Sequence, residues 1–435
     1  MHTLDLILTR NAVPFALLPK GLPRPPHGHP VSPYIIRSNG NPAIVLLGQD
    51  SYLTPGNYPD SIKNFAVYDR GTINALLELG KLECMTILNE QMNVYIDNAL
   101  LSQEFIVLPT GKLGQYLSMR IADLKAFLGD RLVPSQFTNT RVSHADAFNI
   151  GIYNERRIDQ LIGQESQIPP FPETARRIIE LFQRQDTFNM DDLVSVIEKD
   201  APISAQTISW ANAAASGSAG KQIYSVRGAV NRLGVNKTML YAMQSSVSNS
   251  FRVMPDLAHM LEDACFNSLM SAYGAAQVHR EQGGDSPQSA YLVGLMHNLG
   301  ELLLMHFLPE QSQRFVQLHQ MNPHLSRESL SSEVFMISFA SATHLLMKAW
   351  GMPDNMVNSC MALATFNDNG TDALANNVRD WQISVGDIGI VPISFVPHGW
   401  RNIDYFPVEE AFVEKRRKEI GEFRSQASMI SRRSI

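Results

Sequence analysis

The spacing of apolar residues changes part-way along the chain, and the change divides it. Over residues 1–131 short β-type runs alternate with helical ones, the pattern of an α/β unit. AIVLLG at 43–48 follows Asn41-Pro42 and closes on Gly48, and NVYID and EFIVLP come later as two further β-rich runs around a short helical NALLSQ. Apolar runs of this length between turn residues predict buried strands. TINALLELG at 72–80 and MRIADLKAFLG at 119–129 carry apolar residues at helical spacing and end on glycine, which predicts two helices with glycine stops. Residues 132–166 are polar and weakly periodic; they are expected to form a connector with one amphipathic helix near 154–163.

From 167 to 365 the period is helical almost throughout. In IPPFPETARRIIELFQRQ, Pro172 suits a first turn, and Ala175, Ile178, Ile179 and Phe182 line one face. NMDDLVSVIEKD offers Asn189 as an N-cap, with Asp192 three residues on and Leu193, Val196 and Ile197 on one side. PISAQTISWANAAASG is rich in Ala and Ser, which lets helices approach closely, and SVRGAVNRLG places Val226, Ala229, Val230 and Leu233 on a stripe that stops at Gly234. The same character runs on through AYLVGLMHNLGELLLMHF and EVFMISFASATHLLMKAWGMP. With no strand signal and no internal repeat, the prediction is an all-α helical bundle over 167–365. Residues 366–435 read differently: NDNGTDALANN is loop-like, GIVPISFVPHGW is broken by Pro and Gly, and the tail KRRKEIGEFRSQASMISRRSI is basic. They are read as a C-terminal extension whose structure the pattern leaves undefined.

Composition narrows the function classes only slightly. A length of 435 residues is about three times a ~150-residue domain and predicts two or three packed units. A hydrophobic share of 44% against 18% charged residues describes an ordinary globular protein. The formal net charge of -6 and pI near 6.1 exert no global pull on nucleic acid or anionic lipid, and the basic tail is read as a solvated end. Cys84, Cys265 and Cys360 are scattered and odd in number, fitting neither a disulfide framework nor a metal knuckle, so a reducing cytoplasm is the expected setting. MHTLDLILTRNAVPF lacks the basic and apolar regions of a secretory signal, and no run approaches the ~18 apolar residues of a membrane span. No Walker loop, GxSxG elbow or HExxH motif occurs. His27-Gly28-His29 sits in the proline-rich PRPPHGHPVSP without a third ligand and is read as a solvated loop. The methionines from Met239 to Met305 are read as adaptable core packing. No cofactor is implied.

The chemistry concentrates in GLMHNLGELLL at 294–304, where His297 and Asn298 stand side by side in an apolar stretch. A His-Asp pair at that place binds a divalent ion, the imidazole supplying nitrogen and the carboxylate a hard anionic oxygen. Asparagine removes the anion, and with it much of the means to lower the pKa of a metal-bound water. The plain reading is a pair near the bundle interior that satisfies hydrogen bonds to backbone or to each other.

IPPFPETARRIIEL, VIEKDAPISAQTISWANAAA, SVRGAVNRLG, AYLVGLMHNLGELLL and ATHLLMKAWGMP occur in that order between about Ile168 and Pro353. Together they resemble the HDOD domain, a helical relative of the HD phosphohydrolases. The resemblance implies a metal site eroded residue by residue. Asn267, in CFNSLM, stands where active HD enzymes carry an early His; His297 keeps the second ligand; Asn298 replaces the aspartate; and Phe339 stands where a later His is common. Trp350, Gly351, Met352 and Pro353 form the Trp-Gly-x-Pro signature beyond it. On this reading the chain carries no catalytic residue and no metal ligand set.

NVYIDNALLSQEFIVLPTGKLGQYLSMRIADLKAFLG resembles the C-terminal half of the YbaK-type aminoacyl-tRNA deacylases, with Asp97 closing a strand and Gly111 preceding the last helix. This implies a mixed sheet with helices over 1–131. The family's early-strand lysine is absent from SPYIIRSNG, and its Gly-rich segment reads GKLECMTIL, so an idle deacylase-like domain is expected. The whole is read as a bacterial, cytoplasmic signal-transduction or regulatory scaffold that binds another protein or a small signalling ligand. The competing expectations are a metal-dependent phosphohydrolase of the HD superfamily and a tRNA-associated or deacylase activity of the N-terminal domain; a nucleic-acid partner is not expected.

Overall fold

A computed structural model describes residues 4–18, 28–38, 41–48, 51, 66–67, 92–110, 116–137, 168–183, 189–213, 222–284, 287–322, 325–364, 372–387, 406–409 and 411–418. The chain divides into two compact units. One comprises Met1–Ile150 with Arg314–Met336 and Val391–Tyr405, the other Gly151–Gln313 with Ile337–Ile390 and Phe406–Ile435.

The first unit opens with α1 (Leu4–Arg10) and is built on a mixed sheet. Its strands are β1 (Ala16–Leu17), β2 (His29–Ser38), β3 (Asn41–Gly48), β4 (Ala66–Val67), β5 (Val94–Asp97), β6 (Phe105–Pro109), β7 (Tyr116–Arg120) and β8 (Leu132–Ser135). Seven of them run in the order β1-β7-β6-β2-β3-β5-β8, and β4 pairs with β2 off this path. The β2-β3 hairpin is antiparallel from Val31↔Gly48 to Ser38↔Asn41, whereas β3-β5, β5-β8 and β2-β6 are parallel. The run AIVLLG forms β3 and is buried along its whole apolar length, as a strand covered on both faces must be. Its alternate side chains part accordingly. Ile44 and Leu46 join Leu4, Leu8, Leu100 and Leu124 on one face, while Val45 and Leu47 join Ile36, Tyr95 and Phe137 on the other.

Asp97 ends β5 and caps α2 (Asn98–Leu101), its Oδ1 accepting from the Ala99 N–H at 2.8 Å. Two boundaries differ from those the sequence suggests. The helix expected from 119 starts at 121 as α3 (Ile121–Leu128), because Met119 and Arg120 are still paired with Ile106 and Phe105 in the β6-β7 ladder. It stops as expected at Gly129, where φ is +55°. Leu132–Ser135, expected in a connector, forms β8; four residues are too few to show a period, and Pro134 is tolerated because β8 ends the strand order. The helices expected at 72–80 and 154–163, and Gly111, lie outside the described residues.

The second unit is helical. It begins with α4 (Glu173–Gln183), α5 (Met190–Glu198), α6 (Ala201–Ala213), α7 (Val226–Leu233), α8 (Val235–Ser248), α9 (Ala258–Glu281), α10 (Pro287–Met296) and α11 (Leu299–Phe307). Then come α12 (Pro309–Met321) and α13 (Arg327–Phe335), whose residues from Arg314 onward belong to the first unit. The second unit resumes with α14 (Phe339–Ala349), α15 (Asp354–Ala364) and α16 (Ala373–Asp387). The expected cap of α5 is a full capping box: the Asp192 N–H donates to Asn189 Oδ1 at 3.0 Å and the Asn189 N–H to Asp192 Oδ2 at 2.9 Å. Gly234, at φ +87°, separates α7 from α8. Glycines inside helices mark close approach. At Gly294 of α10 a Cβ would come within 2.5 Å of the Ser271 carbonyl oxygen of α9, and at Gly300 of α11 it would strike the Phe339 carbonyl of α14. No single described helix is long and apolar enough to cross a membrane.

The C-terminal extension, whose structure the sequence pattern leaves undefined, contains α16, which packs against α9, α10 and α15. Its start is set by Asp372, whose Oδ1 accepts from the Ala375 N–H at 2.9 Å and which also receives the Ser359 hydroxyl. Val378, Trp381, Ile383 and Val385 are fully buried together with the polar Asn377, Gln382 and Ser384.

Candidate functional site

His297 and Asn298 form the turn between α10 and α11, and three other helices close around them. Each polar atom of the pair has a partner. His297 Nδ1 lies 2.7 Å from the Gly294 carbonyl oxygen, which can only accept, so the proton sits on Nδ1. Nε2 is then an acceptor, and it takes a hydrogen bond from the Gln382 side-chain amide of α16 at 2.6 Å. Burial pushes His297 down to about 4 despite the Gly294 bond, which favours the charged ring. The imidazole is neutral at pH 7.

Asn298 uses both ends of its amide. Its Oδ1 accepts from the Ser268 hydroxyl of α9, and its Nδ2 donates to the Ala264 carbonyl one turn earlier at 3.0 Å. A carboxylate can accept the first bond but cannot make the second. Asn267 is buried next to Ser268 on α9. Phe339 is buried as the first residue of α14, where Ser338 caps the helix by accepting from the Ser341 N–H at 3.0 Å. One turn on, the Thr343 hydroxyl accepts from the Gly300 N–H at 2.8 Å and faces the carbonyls of His297 at 3.0 Å and Phe339 at 2.9 Å.

The Trp-Gly-x-Pro segment does different work. Trp350 Nε1 donates to the Pro169 carbonyl at 2.8 Å, and its ring packs on Phe171 and Phe251 with centroids 5.0 and 6.1 Å away. Gly351 takes φ +64°, a conformation in which glycine is at no disadvantage, and the Pro353 carbonyl accepts the first N–H bonds of α15. These residues clasp the start of the helical unit to α14.

The fold therefore gathers Asn267, His297, Asn298 and Phe339 around α9, the α10-α11 turn and α14, while Asp97 stands in the other unit. This cluster does not fit a divalent ion. Both ring nitrogens of His297 and both ends of the Asn298 amide are engaged by the chain itself, and Phe339 offers no donor atom. Among the described residues no three His, Cys, Asp or Glu side chains stand close enough to hold a metal. Sequence reasoning missed Ser268, Thr343 and Gln382, the residues that do the engaging. Nothing in a serine, a threonine or a glutamine within an unremarkable helical stretch marks it as a partner of a distant turn.

Residues 168–364, which hold the whole cluster, match the HDOD domain family. This segment is an HDOD domain. The whole chain shares its fold with a candidate signal transduction protein from Marinobacter aquaeolei VT8, at a TM-score of 0.63 and 17% identity over 98% of both chains. An HDOD domain protein of unknown function from Geobacter sulfurreducens covers 65% of this chain and 97% of its own at a TM-score of 0.46 and 16% identity. A candidate phosphohydrolase from Shewanella amazonensis SB2B covers 61% and 94%, at 0.41 and 17% identity. No curated protein matches the chain. None of these likenesses carries the deacylase resemblance of the N-terminal unit, which stands as a mixed α/β sheet without a family. The HDOD match ends at 364, so Gln382 and the helix that holds it lie beyond the matched segment.

Proposed function

We propose that this is a regulatory protein whose HDOD domain acts by binding and carries out no hydrolysis. One observation supports the reading above others. The positions that the HD superfamily uses for metal are here a neutral histidine, two amides and a phenyl ring, and His297 and Asn298 among them are hydrogen-bonded to Gln382, Gly294, Ser268 and Ala264. A buried polar group with its partners in place stabilises the folded chain, and a ligand entering would have to break those bonds first. The partner is another protein or a small signalling molecule, met in the cytoplasm.

The test is elemental analysis of the purified chain after incubation with Mn, Fe or Ni, followed by phosphodiesterase and nucleotidase assays in the same ions. The expected result is no stoichiometric ion and no activity. One or two tightly held ions with metal-dependent turnover would replace this reading by the phosphohydrolase.

For the N-terminal unit, the placement of Asp97 at the end of β5 and at the head of α2 supports descent from a deacylase-like fold. Absence of tRNA binding at low salt, where phosphate contacts are strongest, would remove any working connection with tRNA.

A further inference from the structure

The helix beyond the HDOD segment, α16, runs antiparallel to α9: Asn377 meets His279 at 2.8 Å, and four residues later Trp381 covers Gly274 so closely that a Cβ there would fall inside the indole ring. One residue further, Gln382 reaches the His297 Nε2 at 2.6 Å. The C-terminal part of the unit holds the helix down from outside. The Trp381 ring packs edge-on against Phe412 at 6.1 Å, the Ser384 hydroxyl donates to the Phe406 carbonyl at 3.4 Å, and the Arg416 guanidinium lies over Tyr273 of α9 at 4.8 Å. The seam has a cost that a neutral packing surface lacks. Among the described residues, the Trp381 Nε1 and, one turn before Gly274 on α9, the Ser271 hydroxyl are buried without a hydrogen-bond partner, although buried polar groups usually have one.

We propose that α16 is a built-in occupant of the ancestral HD cleft: Trp381 fills its floor over Gly274, and Gln382 takes the ring nitrogen of His297 that an external ligand would need. Gln382 is a positioning residue, holding the neutral Nδ1–H form of the imidazole. The inference rests on the binding role proposed above and narrows it. A small signalling molecule is excluded from this cleft, and recognition falls to the outer surface of the helices, which suits a protein partner.

The full chain with Ser271→Cys tests the closure. Ser271 is fully buried and its hydroxyl has no hydrogen-bond partner among the described residues, so a thiol replaces it with little disturbance. Labelling by iodoacetamide is read peptide by peptide, with the buried Cys360 of the same unit as the internal standard. The introduced thiol is expected to label no faster than Cys360, and at least tenfold faster once Gln382→Ala is added. Trp381→Phe serves as the second variant should Gln382→Ala fail to fold. Labelling of the introduced thiol tenfold or more ahead of Cys360 with α16 intact would show that the cleft opens, and would overturn the proposal. Nitrogen-15 NMR of the imidazole gives an independent readout: the His297 Nε2 resonance is expected to move when Gln382→Ala removes its donor, and an unmoved resonance refutes the positioning role. Metal bound at His297 would overturn both this inference and the proposed function. An open cleft without metal overturns this one alone.

Discussion

Thr343 offers the sharpest test of how the site is held together. Its side chain is fully buried, and its hydroxyl accepts from the Gly300 N–H at 2.8 Å while donating toward the His297 or Phe339 carbonyl. Gly300 lies in the first turn of α11, where the N–H groups have no acceptor within their own helix. Thr343→Val keeps the shape and turns a methyl group toward that N–H. An orphaned buried donor costs about 1–3 kcal/mol, and the loss of the bond that the hydroxyl itself donates acts in the same direction. Thr343→Ser supplies the contrast, since it keeps the hydroxyl and loses one methyl group, worth about 0.8 kcal/mol. Urea unfolding should show a lower midpoint for the valine variant at unchanged slope. Native-state amide exchange should show Gly300 deprotected in the valine variant and protected in the serine variant. A valine variant within about 0.5 kcal/mol of the parent, which is the usual range for a substitution that disturbs nothing, with its Gly300 amide still protected, would refute the bridging role.

Three further outcomes can be measured. Gly274→Ala gains about 0.5–1 kcal/mol of helix propensity but drives a Cβ into the fully buried Trp381 ring; overpacking of this kind costs about 1–3 kcal/mol or more, so the variant should melt at a lower temperature than the parent. In the first unit, burial, and after it the Arg327 guanidinium, hold His319 down to about 3 from 6.5. The unfolded chain therefore binds a proton that the folded one refuses: stability is full above 6.5, falls as the pH drops below that value, and is down by about 2 kcal/mol at about pH 5. His319→Leu should abolish that part of the acid sensitivity in unfolding titrations, and an unchanged pH profile would refute the assignment. Asn298→Asp should take up no metal in elemental analysis and should lose about 3 kcal/mol or more, because a buried carboxylate would face the Ala264 carbonyl; tight metal uptake by that single variant would show that the site has been misread.

Strands and helices with one clear period were legible in the sequence, and elements decided by tertiary contacts were not. β3, β5 and β6 announced themselves as apolar runs between turn residues, and the capping box of α5 was readable from Asn189 and Asp192. β8 was too short to carry a signal. α16 was hidden for two reasons. Its first turn reads as a loop because Asp372, Asn376 and Asn377 are turn formers elsewhere, and here Asp372 caps the helix while Asn377 is buried against His279. Its later turns are buried on every side, with Asp380, Gln382 and Ser384 among Trp381, Ile383 and Val385, so no polar stripe faces water and no amphipathic period appears.

The site itself was half legible. That His297 and Asn298 are interior residues with satisfied hydrogen bonds was readable from the apolar run around them, yet the identity of their partners was not, since Ser268, Thr343 and Gln382 come from three other helices. Those partners give the asparagine a reason of its own. An aspartate at 298 would bury a charge, which is costly unless a cation or several donors surround it, and the donor that the described residues place on the Asn298 oxygen is the Ser268 hydroxyl. An amide there is neutral, accepts once and donates once, and ties α9 to the head of α11. A neutral, buried His297 needs a donor at Nε2, and Gln382 provides it. On the closure proposed above, one helix does two things at this place: Gln382 pairs a buried ring nitrogen, and the neighbouring Trp381 fills the space over Gly274.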